Sequence, residues 1–79
     1  MYVAYVLLLC DTKDRNDDFI IKELSSLPSV IEVSKVDGPY DFVVKLSHKD
    51  TNTLKKIIGK QMGTIKGILS TITLIAYID

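Results

Sequence analysis

A chain of 79 residues, 47% hydrophobic and 25% charged, has the composition of one packed soluble domain and leaves no room for a second. Ten Lys and Arg balance ten Asp and Glu, so the cationic surplus that a nucleic-acid-binding domain carries to neutralise phosphates is missing, and direct DNA binding is not expected. Domains this small bury only about two-thirds of the surface their unfolded chain exposes, which makes association with a second copy an early expectation.

Residues 2–9 are β-branched, aromatic and leucine-rich and are closed by Asp11-Thr12-Lys13-Asp14, which predicts a first strand. The apolar run over 3–10 is well short of the ~20 residues that span a bilayer as a helix, so no membrane association is expected. It has neither a cationic segment before it nor a small-residue cleavage site after it, so it does not read as a signal peptide. Cys10, the single cysteine, excludes an internal disulfide and fits a reducing cytoplasm. Asn16 is placed to cap a helix with Asp17 and Asp18 in its first turn and Ile20, Ile21, Leu24 and Leu27 along one stripe, ended by Pro28. Residues 30–36 and 42–46 predict two strands paired through the turn Asp37-Gly38-Pro39-Tyr40-Asp41. Asp50 or Thr51 caps a second helix with Leu54, Ile57, Ile58 and Met62 on one face; Gly59 weakens its middle, and Gly63 is expected just past its end as a left-handed cap. Residues 68–78, entered through Gly67, predict a long last strand.

The order βαββαβ, with right-handed crossovers, predicts an α+β ferredoxin-like sandwich: a four-stranded antiparallel sheet with two helices on one face, formed by residues 1–79 as a single domain. In the first strand, Val3, Tyr5, Leu7 and Leu9 alternate with Ala4, Val6, Leu8 and Cys10, so both faces are apolar. The last strand repeats this more weakly, Ile68, Ile72, Leu74, Ala76 and Ile78 alternating with Leu69, Thr71, Thr73, Ile75 and Tyr77. Two helices cover one face, and a second copy packed sheet to sheet is the economical cover for the other.

Few residues offer chemistry. His48, beside Asp50, has no companion ligands and reads as a solvated loop residue; Cys10, without a CxxC neighbour, reads as a buried thiol. No catalytic set and no metal site can be assembled, the glycines form no nucleotide-binding pattern, and Lys55, Lys56, Lys60 and Lys66 read as a solvated face. Two features stand out: the turn Gly38-Pro39-Tyr40-Asp41 and the hydroxyls of Ser70, Thr71 and Thr73 on a strand otherwise apolar. Turn chemistry accounts for Gly38, Pro39 and Asp41, and strand propensity for the threonines. Together they could hold a zwitterion, with Asp41 or carbonyls taking an ammonium and amides or hydroxyls a carboxylate.

These residues carry a resemblance. The opening strand, the segment Leu27-Pro28-Ser29-Val30-Ile31-Glu32-Val33, the hairpin Gly38-Pro39-Tyr40-Asp41-Phe42-Val43-Val44-Lys45 and the closing strand resemble the ligand-binding RAM domain of the Lrp/AsnC (feast/famine) transcription regulators. The resemblance implies homodimers joined through their sheets, often assembled into rings of dimers, and a small effector, typically an amino acid, bound between neighbouring dimers. It places the effector site at Gly38, Tyr40, Asp41, Ser70, Thr71 and Thr73. Family regulators carry a helix-turn-helix domain before the first strand, whereas here Met1 precedes it directly, so the expectation is a stand-alone RAM module, or a piece cut from a longer regulator, that needs no cofactor and reaches DNA only through full-length Lrp/AsnC partners. A small dimeric α/β-barrel enzyme of monooxygenase or isomerase type is the alternative, with only His48, Tyr40 and Asp41 to serve it. The amino-acid-binding ACT module is a third reading, but its glycine-bearing turn after the first strand is absent from Asp11-Thr12-Lys13-Asp14.

Overall fold

The computed structural model describes residues 1–78. Strands β1 (Tyr2–Cys10), β2 (Val30–Lys35), β3 (Phe42–His48) and β4 (Ile68–Tyr77) form one antiparallel sheet in the order β2-β3-β1-β4. Helices α1 (Asp17–Ser25) and α2 (Thr51–Lys56) cover one of its faces, and α2 continues into a π-helical turn over Ile57–Met62. This is the ferredoxin-like α+β fold that the element order predicts.

Alternation along β1 decides which residues form the core. Ala4, Val6 and Leu8 pair with Leu46, Val44 and Phe42 of β3, and all six are fully buried beneath the helices. From above, α1 contributes Ile20 and Leu24, and α2 with its π turn contributes Leu54, Ile57, Ile58 and Met62. The helix starts are fixed by local chemistry. Asn16 Oδ1 accepts from the Phe19 amide at 3.1 Å, and the Asp50 carboxylate accepts from the Asn52 amide at 3.1 Å and the Thr53 hydroxyl at 2.9 Å, so Asp50 rather than Thr51 is the cap.

Three boundaries differ from the sequence expectation. Helix α1 stops at Ser25 and leaves Leu27 in the following turn, where Ser29 takes φ +69 ahead of β2. Gly63 is not a left-handed cap: its φ is −66° and its amide donates to Ile58 O at 3.0 Å, because the π turn supplies an acceptor five residues back and keeps the chain right-handed. The positive-φ glycine of this segment is Gly67, at +99°. A bulge opposite Leu9 and Cys10 pairs Ser70 with Leu9 but Ile68 with Cys10. This moves Ile68 onto the core, away from the face that simple alternation assigns it.

Among the described residues, none covers the second face of the sheet. Tyr5 lies between Lys45 and Leu74, and Leu7 between Val43 and Ile72. Tyr5, Ile72 and Leu74 remain 38%, 44% and 58% exposed.

Candidate functional site

The turn between β2 and β3 is closed by the Val36 amide donating to Asp41 O at 3.0 Å. Gly38 has φ +153, an angle that a residue with a Cβ rarely adopts, and the space around it is open, so backbone geometry alone calls for glycine. Asp41 fastens this turn to the end of β1. Its amide donates to Leu8 O at 2.8 Å, and its Oδ2 accepts from the Cys10 amide at 2.7 Å. Its Oδ1 accepts from Arg15 Nη1 at 2.6 Å.

Arg15 extends the network. Its Nε donates to Asp17 Oδ1 at 2.6 Å, Lys35 Nζ meets Asp17 Oδ2 at 2.5 Å, and the guanidinium lies 5.7 Å from the centre of the Phe42 ring. Four charges of alternating sign, Lys35, Asp17, Arg15 and Asp41, therefore run along one end of the sheet. Hydrogen bonds from Arg15 and then Lys35 lower the Asp17 carboxyl to about 2, and the Arg15 guanidinium is held more firmly protonated, chiefly by Asp17. Burial, followed by the nearby Asp41 carboxylate, pushes the Cys10 thiol up, which keeps it protonated and weakly nucleophilic. Sequence reasoning missed Arg15. The available signal was that it is the only arginine in the chain and stands two residues before the helix's first acidic residue.

The hydroxyl residues of β4 do not share one face. Ser70 pairs with Leu9 on the open side of the sheet, whereas Thr71 and Thr73 pair with Leu8 and Val6 on the helix side. Because β1 lies between β3 and β4, the turn and Ser70-Thr71 flank the same end of β1 from opposite sides, two strand spacings or ~10 Å apart. Among the described residues of one protomer, the three depressions observed bring none of the turn residues together with Ser70 or Thr71. Tyr40 is half-buried in the turn. Thr73 instead borders a separate depression of about 550 Å³ with Lys55, Ile58, Gly59 and Ile75. His48 sits at the opposite end of β3 from Asp41, its Nδ1 accepting from the Asp50 amide at 2.9 Å. The three groups an enzyme would need are thus not gathered. Among the described residues, no three His, Cys, Asp or Glu side chains are grouped to hold a metal ion.

Comparison with known proteins matches residues 3–77 to the model of the Lrp/AsnC ligand binding domain. A homocitrate synthase of Sulfurisphaera tokodaii is 41% identical over 54 residues, which is 68% of this chain and 12% of the synthase. A solved structure from Thermus thermophilus is 29% identical with a TM-score of 0.87, covering 100% of this chain and 96% of that one. A transcriptional regulator of Neisseria meningitidis, solved as a complex with L-Met, has the same fold at 11% identity and a TM-score of 0.83, over 99% of this chain and 51% of the regulator. With the family model spanning nearly its whole length on a sheet of the expected order, this chain belongs to the Lrp/AsnC ligand-binding domain family.

Proposed function

We propose that the chain is a non-enzymatic module that binds a free amino acid and assembles with other copies, acting on transcription through full-length Lrp/AsnC partners. The observation that carries this reading is the fastened turn: Asp41 holds residues 38–41 at the rim of the sheet by two backbone and two carboxylate hydrogen bonds. A turn fixed in this way presents carbonyls and amides to a ligand without an ordering cost at the moment of binding. In an assembly of dimers, that rim meets β4 of a neighbouring subunit. The turn carbonyls and the free lone pairs of Asp41 take the ammonium, Tyr40 shields it, and the Thr71 hydroxyl of the neighbour takes the carboxylate, Ser70 lying on the other face. Two relatives are consistent with this. One protein of the same fold is complexed with L-Met, and the synthase match shows a similar segment inside an enzyme. The latter favours a second reading, in which the module regulates an enzyme rather than a promoter.

Calorimetry of the wild-type oligomer against the common amino acids tests the proposal. At least one should bind, and Asp41→Ala or Thr71→Val should lose about 1.5–3 kcal/mol, roughly tenfold to over a hundredfold in affinity. Heat from none of them, or full affinity in both variants with their thermal transitions intact, would remove the site from the turn.

A further inference from the structure

The depression bordered by Thr73 lies on the helix side of β4, on the far flank of β1 from the Asp41 turn. Its volume of about 550 Å³ falls in the range of small-ligand pockets, about 300–1,000 Å³. Two of its walls are aliphatic, Ile58 from the π turn and Ile75 from β4. Its polar side chains are the Lys55 ammonium and the Thr73 hydroxyl, and among the described residues none that lines it is acidic.

Gly59 is among the lining residues, and the fold itself does not call for a glycine there. Its backbone is not in the positive-φ region, and a Cβ would meet nothing within 4 Å. Glycine is among the poorest helix formers, so any larger residue would favour the helix while filling the depression. The π turn over Ile57–Met62 adds a second irregularity at the same place, and such turns recur at functional sites. Thr73 is exposed although it points to the covered side of the sheet, because the helical layer stops short of it.

From this arrangement we infer that the groove between the π turn and β4 is a binding site for a small aliphatic monocarboxylate, with the tail between Ile58 and Ile75 over Gly59 and the carboxylate on Lys55 and Thr73. Charge selects against a zwitterion. Lys55 is the one charged group among the described lining residues, and an α-ammonium entering beside it would meet a like charge with no carboxylate there to pair with. The ligand class is therefore an unsubstituted or 2-oxo acid with an aliphatic tail, distinct from the amino acid assigned to the turn.

The test is an NMR titration of the isoleucine-methyl-labelled protein with 4-methylpentanoate, its neutral amide and L-leucine. The acid should shift the Ile58 and Ile75 methyls saturably, and the amide and L-leucine should bind at these methyls at least tenfold more weakly. Lys55→Gln should weaken the acid at least tenfold, and Gly59→Leu, whose added side chain enters open space, should abolish binding while the remaining methyls keep their folded dispersion. Should Gly59→Leu lose that dispersion, Lys55→Gln and the amide decide. No saturable shift, equal binding of acid and amide, or shifts confined to isoleucines other than Ile58 and Ile75 would overturn the assignment. The Asp41→Ala variant should retain this site, so failure here and failure at the turn are separable.

Discussion

Asp41 does its work on the protein before any ligand arrives, since both carboxylate oxygens already accept a hydrogen bond, one from the β1 backbone and one from Arg15. The electrostatics of that rim have a consequence in acid. Asp17 has a carboxyl lowered from its ordinary 3.8 to about 2 by Arg15 and Lys35. A carboxyl whose folded pKa lies below its unfolded value contributes stability that is present above the unfolded value and is lost as pH falls through the folded one. The protein should therefore lose stability between about pH 4 and pH 2, and Asp17→Asn should flatten that loss while lowering stability at neutral pH; thermal melts of both proteins across this window provide the check, and parallel curves would contradict it. The Gly38 to Asp41 turn was legible in the sequence because its residue types are unusual locally. The Arg15–Asp41 pair was not, because its members are 26 positions apart and only the sheet brings them together.

At the scale of elements, caps and strands were legible and helix ends were not. Asn16 and Asp50 announce their helices because a cap acts within three residues. The π turn leaves no such mark: Met62 is four residues from Ile58 and five from Ile57, all three are buried, and an apolar stripe fits either closure. The bulge that redirects Ile68 was equally hidden, since alternation within one strand carries no information about a register shift against its neighbour. The glycines make these differences measurable. At Gly67, φ is +99° and a Cβ would stand 3.1 Å from both Asp14 O and the Ile20 side chain, so Gly67→Ala should cost about 1–3 kcal/mol. At Gly59 neither constraint applies, and Gly59→Ala should gain about 0.5–1 kcal/mol from helix propensity. Denaturant unfolding of the two variants beside the wild type measures both, and a gain at Gly67 or a loss at Gly59 would mean that the backbone there is arranged differently.

For the whole molecule, the decisive fact is that one sheet has two apolar faces and one layer of helices. The side that each residue of β1 faces, left open by the alternating sequence, follows from the pairs it makes: Leu8 with Phe42 beneath the helices, and Tyr5 with Leu74 on the uncovered side. Uncovered aliphatic and aromatic surface of this kind, on β1 and β4 together, is the surface through which a second copy would pack, whereas on the β2–β3 half Glu32 stands opposite Lys45 and Ser34 opposite Val43, which gives that half a more polar character. The contact is therefore expected to centre on β1 and β4. Leu74 is 58% exposed, so an aspartate there is tolerated within a protomer but would bring a charge into the shared face without a partner. Leu74→Asp should yield folded monomers in sedimentation velocity where the wild type sediments as a dimer or a multiple of it. Leu8 is fully buried among the core residues, and Leu8→Asp should instead unfold the chain, because it strands a carboxylate beneath the helices. The contrast separates interface from core within a single strand ladder. A wild type that sediments as a monomer, or a Leu74→Asp variant that keeps the wild-type assembly, would place the contact elsewhere and leave the open face to another partner.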